Sequence, residues 1–202
     1  LSDPVRSAKP TSPAGSSSAP PTRPPRIIPR PLFIGLLAGI SILLILADQA
    51  LKWAADAWLR GAGVVRLIGS YVVLVYAQNT GGFLSLGAGI PEPLRIALLI
   101  VLPVALLGGF AVVYLRRSEL RIRDLAILCL LIGGGLGNIV DRVFRGRVTD
   151  YLLFRLSDRI RTGVMNLADL YILGVVIIIM AEILFKKKNE APKPGGTAPE
   201  GR

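Results

Sequence analysis

Four aspartates stand in or beside long apolar runs. Asp48 lies in ADQALKW, Asp141 in GGGLGNIVDR, Asp150 in GRVTDYL and Asp169 in MNLADLY. A carboxylate near the middle of a bilayer costs roughly 2.5 to 3.5 kcal/mol on insertion scales, so each needs a partner or a task. What the chain lacks narrows the task. It has no histidine and a single cysteine, Cys129, which excludes Ser-His-Asp and Cys-His catalysis, a zinc finger and an intrachain disulfide. Carboxylates, lysine and hydroxyls remain. Two carboxyls at close range cannot both ionise; they share a proton, so that one can act as general base on water while the other donates to a substrate carbonyl. Such a pair is sufficient for an aspartic peptidase.

Each acid also has an ordinary role. Asp48 and Lys52 are four residues apart with the acid N-terminal, the favourable order for a helical ion pair. Asn138, Asp141 and Arg142 fall at i, i+3 and i+4, where an amide, an acid and a guanidinium can satisfy one another on one helix face. Gly133, Gly134, Gly135 and Gly137 before them permit close helix approach. Asp150 reads as a solvated loop carboxylate with Arg147 and Arg155 near it in sequence. Asp169 reads as an acid favoured by the first turn of a helix, with Asn166 to cap or orient it. Neither reading accounts for two acids from different elements meeting at one interface. Asn79, Thr80, Gly81 and Gly82 are a turn signal, or an amide able to hold a peptide backbone with Phe83 dipping into lipid. Ser85 has no histidine and no nucleophile-elbow context; a Ser-Lys site would require Lys52 free of Asp48.

These residues need elements to position them. Of the 202 residues, 52% are apolar and 18% charged, with a mean hydropathy of +0.58, more apolar and less charged than a globular domain. Apolar runs at 32–53, 94–115, 125–144 and 165–185 each suffice for a membrane helix of roughly 17 to 25 residues. Four antiparallel spans put both tails on one side. The end of the first, the end of the third and the start of the fourth then share the other side, where the four acids converge. The insertion at about 62–85, with VVRLIGSYVVLVYAQNTGG at 64–82, is rich in β-branched and aromatic residues and predicts a small sheet lying on the membrane surface. The expected organisation is a Pro/Ser/Arg-rich disordered tail at 1–30, a four-helix membrane domain at 31–185, and a basic disordered tail at 186–202. The first tail lacks the apolar segment of a secretory signal, so the run after it reads as a retained span. The net charge of +11 sits in tails and short connections, where lipid headgroups account for it without nucleic acid. Basic residues flank both sides of the spans, and the KKK at 186–188 tilts the balance towards cytoplasmic tails.

DQALK at 48–52, NTGG with Phe83 and Ser85 at 79–85, GNIVDR at 137–142, VTD at 148–150 and NLAD at 166–169 resemble, in order, the motifs of prolipoprotein signal peptidase, or signal peptidase II. The resemblance covers about 32–185. It implies an all-α membrane bundle of four helices with a small β-sheet cradle on the outer surface. It implies an aspartic endopeptidase of the bacterial inner membrane, with its site near the outer leaflet and both tails cytoplasmic. The substrates would be diacylglyceryl-modified prolipoproteins, cut just before the lipidated cysteine. On the matching positions, Asp150 and Asp169 would be catalytic. Asp48, Lys52, Asn79, Gly81, Asn138, Asp141, Arg142, Asn166 and Ala168 would bind substrate or support the site. No metal or cofactor is implied, membrane lipids are the expected surroundings, and a monomer is the expected state. The sequence departs from the family at Met165 and Tyr151, where phenylalanine is usual, and by lacking the small residue that often follows the NTGG glycines. These are lining positions and bear on substrate fit. Two other classes fit the acids alone: a small proton-coupled transporter, and a non-enzymatic four-helix membrane module. The transporter reading needs acids along a route from side to side, and only Glu182 lies near the opposite end.

Overall fold

The computed structural model describes residues 27–81, 89–157 and 159–190, with the backbone alone for 187–190. Most of both tails, and the expected roles of Gly82, Phe83 and Ser85, lie outside the described residues. Four helices, each long and apolar enough to cross a membrane, make up the body: α1 (Arg30–Trp58), α2 (Glu92–Leu115), α3 (Ile122–Arg145) and α4 (Leu167–Glu190). Three antiparallel strands, β1 (Val64–Ile68), β2 (Val72–Asn79) and β3 (Val148–Phe154), form one sheet in the order β1-β2-β3. The fold is a four-helix membrane protein carrying a small sheet.

Helices α1 and α3 extend the expected apolar runs at both ends, α2 begins two residues earlier and ends as expected, and α4 begins at Leu167, two residues later than expected, and runs on past 185. Two tail boundaries move as a result. Residues 27–29 are ordered rather than part of a disordered tail, because the Ile28 N–H donates to the Leu120 carbonyl at 2.8 Å and its side chain joins the apolar cluster there. Helix α4 continues through Glu190, beyond the expected boundary at 186; KKKNE contains no helix breaker.

Helix α3 is the hub. A Cβ placed on Gly133 would stand 2.8 Å from Leu44 of α1, on Gly134 2.6 Å from the Ala168 carbonyl of α4, and on Gly135 2.5 Å from Leu107 of α2. Three consecutive glycines thus admit three neighbours on three sides, the close approach that small residues allow in a membrane. Polar caps hold both ends of α3. The Asp124 side chain accepts the Arg121 N–H at 3.0 Å and an Arg117 Nη1–H at 2.8 Å at its start, and Gly146 closes its other end at φ +68°, a conformation that favours glycine.

Apolar packing lies at the two ends of the bundle. One cluster, around Phe33, Leu37, Leu125 and Leu128, joins the starts of α1 and α3. The other places Ala55 of α1 and Leu59, just past its end, against Tyr151, Leu74 and Leu152 of the sheet. The Tyr76 hydroxyl donates to Asp56 of α1, so β2 is tied to that helix by a polar bond as well. By contrast, no residue of α2 is buried, and its turn at Ala97–Val101 widens to π geometry just before Pro103. Its apolar surface is suited to lipid rather than to a protein core.

Sequence reasoning found the first two strands but not the third. VTDYLLF reads as a loop after α3, yet it pairs with β2 along its length, from Val148 opposite Asn79 to Phe154 opposite Val72. Its apolar residues are almost continuous, as expected of a strand covered on both faces. The Arg-rich stretch after it folds back on itself, with Arg155 bridged to Arg161.

Candidate active site

Between the two apolar clusters lies a buried polar layer with two parts. In the first, α1 contributes Asp48 and Lys52, both fully buried. Lys52 Nζ stands 2.8 Å from Asp48 Oδ2 and donates to Asn138 Oδ1 at 2.9 Å. It stands 3.0 Å from Asp141 Oδ2, at an angle outside hydrogen-bond geometry but well within ion-pair range. Asp141 is also paired with Arg145 Nη1 at 3.2 Å. The remaining oxygen of Asp48 accepts the Ala168 backbone N–H at 2.9 Å, at the start of α4. Two carboxylates and two cations therefore balance within one cluster, which is what makes burial of the charges tolerable.

The expected mutual satisfaction of Asp141 and Arg142 is not what the structure contains. Asp141 turns to Lys52 and Arg145, while Arg142 donates through Nη2 to the Gly81 carbonyl at 3.0 Å and through Nη1 to the Asn138 carbonyl at 3.3 Å. On a helix, i and i+1 side chains diverge by about 100°, so the two point to different neighbours.

The second part centres on Asp150 and Asp169. Asn166 links them. Its Nδ2–H donates to Asp150 Oδ1 at 2.6 Å and to Asn138 Oδ1 at 3.1 Å, and its backbone N–H donates to Asp169 Oδ2 at 3.2 Å. In return the Asp169 N–H donates to Asn166 Oδ1 at 3.0 Å, so the pair forms a reciprocal cap on α4. Each acid is held from a further element: Asp169 Oδ1 by Asn138 Nδ2 of α3 at 2.9 Å, and Asp150 Oδ2 by Asn79 Nδ2 of β2 at 3.1 Å. The Asn79 side-chain oxygen accepts the Gly81 N–H at 3.0 Å and fixes the turn leaving the strand. Four elements thus converge on two carboxylates through neutral amides.

Both acids line one cavity of about 360 Å³, along with Asn79, Asn138 and Arg142. Its remaining wall is apolar, with Met165 and Ile172 on one side and Leu99 and Pro103 of α2 on the other. A second, almost wholly apolar slot continues from Asp169 and Ile172 along Leu173 and Val176 of α4. Burial pushes the Asp150 carboxyl up to about 6 from its ordinary 3.8, with the Asp169 charge adding to the rise and the Asn166 and Asn79 donors opposing it.

Asp150 and Asp169 line the cavity with Asn79, Asn138, Arg142 and Asn166. Asp48, Lys52 and Asp141 stand behind that wall, with Gly81 and Ala168 supplying backbone groups. Gln49, Gly137 and Arg145 were not singled out from sequence as site residues. Gln49 donates to the Gly137 carbonyl at 3.0 Å, and a Cβ on Gly137 would stand 2.7 Å from Asp48 Oδ2. A polar residue inside a span was a usable signal for Gln49; for the other two, only the packing reveals the role.

The chain matches the model of the signal peptidase (SPase) II family over residues 40–185. It is 34% identical over 150 residues to a lipoprotein signal peptidase of Treponema denticola, covering 69% of this chain and 87% of that one. It is 32% identical over 155 residues to a lipoprotein signal peptidase of Rhizorhabdus wittichii, covering 74% and 86%. A bacterial membrane enzyme solved by the in meso method superposes with a TM-score of 0.67 at 20% identity, over 81% of this chain and 96% of that chain; at that identity the likeness concerns the fold. The family match spans α3, the sheet and the start of α4, from which the amides and acids of the cavity come, and the chain belongs to the signal peptidase II family.

Proposed function

We propose that this protein is an aspartic endopeptidase that removes the signal peptide from diacylglyceryl-modified prolipoproteins, cutting just before the lipidated cysteine. The observation that carries the reading is the contrast between the acids. Asp48 and Asp141 are paired with the buried Lys52, and Asp141 also with the exposed Arg145, whereas Asp150 and Asp169 face a cavity and, among the described residues, their donors are amides. A carboxyl held by neutral donors can gain or lose a proton without breaking an ion pair.

In this mechanism one water lies between the two carboxyls. Asp169, set at the N-terminus of α4 with two N–H donors, takes a proton from the water as its oxygen attacks the scissile carbonyl carbon. Asp150, whose raised pKa keeps a proton available, donates to the carbonyl oxygen. As the diol collapses and the C–N bond breaks, Asp169 passes its proton to the departing nitrogen and Asp150 recovers one from a diol hydroxyl, leaving a carboxylic acid, which ionises in water, and a free amine. Arg142 and Asn79 border the same cavity and are placed to hold the substrate backbone or its ester oxygens. The apolar slot along α4 suits the signal helix, so that acyl-chain and helix binding orient the bond.

The same reading places the protein in the bacterial inner membrane as a monomer, tails in the cytoplasm and the cavity near the outer leaflet. The alternation of four spans and the basic residues after α4 support it.

The test is cleavage of a purified diacylglyceryl-modified prolipoprotein by the enzyme in detergent, followed by gel shift. Asp150→Asn and Asp169→Asn each lower the rate by about a thousandfold or more while the protein remains monodisperse. Cleavage by either variant at the wild-type rate would sink the two-aspartate reading.

A further inference from the structure

One face of the sheet plays no part in that chemistry. Leu74 and Leu152 point to the end of α1, so their neighbours Val73 and Leu153 point the other way. On this second face Val64, Val75 and Leu153 floor a cavity of about 430 Å³ whose wall is Arg155 and Arg161, drawn together by the bridge that closes the turn. Arg66 stands opposite Val73 in register and shares the face.

Among the described residues, no carboxylate pairs with Arg66, Arg155 or Arg161, and Arg155 Nε is buried without a hydrogen-bond partner. The turn 155–161 as a whole carries three arginines against one acid. A buried guanidinium N–H left unpaired costs free energy, so its surroundings call for an acceptor.

The level of the face identifies the acceptor's source. Trp53 and Trp58 are exposed at the end of α1, and Tyr71 is exposed in the turn between β1 and β2, the aromatic residues expected at a headgroup layer. All five residues of β1 are exposed although four are apolar, and Leu156 and Ile160 project from the turn that carries the arginines. In water these would be a large apolar patch. At a bilayer surface they are immersed while the guanidiniums reach phosphate.

We propose that this face is a binding site for an anionic phospholipid. Arg155 and Arg161 pair with the phosphate, Arg66 adds charge at the edge, and Val64, Val75 and Leu153 take the first methylenes of the acyl chains. The site is separate from the two-aspartate cavity, and its failure would leave that reading untouched.

The experiment is native mass spectrometry of the full chain released from mixed micelles holding equal parts of phosphatidylglycerol and phosphatidylcholine. The expected result is preferential retention of phosphatidylglycerol by the wild type, and a loss of roughly fivefold for each guanidinium removed in Arg155→Gln and Arg161→Gln, equivalent to about 1 kcal/mol apiece. Arg121→Gln, at the other end of the bundle, retains the lipid as wild type does. Arg155→Lys keeps most of the retention, because the charge persists although the bidentate geometry does not. Equal retention of the two lipids by the wild type, or an unchanged preference in the Arg155→Gln/Arg161→Gln protein at an unchanged melting temperature, would overturn the proposal.

Discussion

Two acidic pairs lie side by side in this membrane protein and are treated in opposite ways. Asp48 and Asp141 share Lys52, with Arg145 behind, and each is almost fully enclosed. Asp150 and Asp169 share Asn166 and open onto a cavity. The residue type is the same. Cations pair with the first two acids and make them a brace between α1, α3 and α4, while the second two are held by amides at the cavity wall. Asn138 belongs to both, accepting from Lys52 and Asn166 through its oxygen and donating to Asp169 through its nitrogen. That shared amide is the physical link between the brace and the pair that faces the cavity.

The contrast breaks most severely at Lys52. Lys52→Met removes the cation from between two buried carboxylates, and the expected loss is about 3 to 5 kcal/mol, the range for leaving a buried charge without its partner. Thermal unfolding in detergent measures it. Adding Asp48→Asn and Asp141→Asn to the same chain should return much of that stability, since no buried charge is then left without a partner and the exposed Arg145 can turn to solvent; a triple variant no more stable than Lys52→Met would show that the ion pairs are not what holds the three helices.

The second pair is probed by pH. Burial raises the Asp150 carboxyl from 3.8 to about 6, so the folded state holds that proton more tightly than the unfolded chain does. The resulting stabilisation is fully present below about pH 4 and is lost as pH rises through 6, a change of about 3 kcal/mol from a shift of roughly two units. Asp150→Asn lacks this slope. The difference in unfolding free energy between variant and wild type should therefore move in the variant's favour between pH 4 and 7. On the proposed mechanism, which needs Asp150 protonated, kcat/KM should fall as pH rises through about 6. A stability difference that is flat over this interval would mean that Asp150 is not shifted.

Gly137→Ala is the mildest of the three. The new methyl group would meet Asp48 Oδ2 at 2.7 Å, so the carboxylate or the helix must give way, at about 1 to 3 kcal/mol. Because Asp48 also holds the start of α4 through the Ala168 N–H, cleavage should fall along with the melting temperature. Activity that survives a lowered melting temperature would separate the brace from the pair that faces the cavity.

How far the sequence carries can be judged residue by residue. Composition and run length sufficed for four spans, since a hydrocarbon core demands apolar helices of a definite length whatever their neighbours are. The i, i+4 spacing of Asp48 and Lys52 was enough for their pairing, because helix geometry alone brings those positions together. Convergence of the acids followed from the alternation of spans, and the ordered motifs pointed to the family. The third strand was not legible: VTDYLLF carries no alternation, and a strand buried on both faces declares itself only when its partner is known. Nor were the partners of Asp141 and Arg142, which depend on the rotation of α3 against α1 and β2, nor the separate purposes of Gly133, Gly134 and Gly135, which are identical in sequence and differ only in the helix that each one meets. Local spacing and the demands of the bilayer determine which segments cross and which side chains share a helix face. Which acid is neutralised by a cation and which is held by an amide depends on contacts between residues as far apart as Asp48 and Ala168, and only the packed tertiary structure decides it.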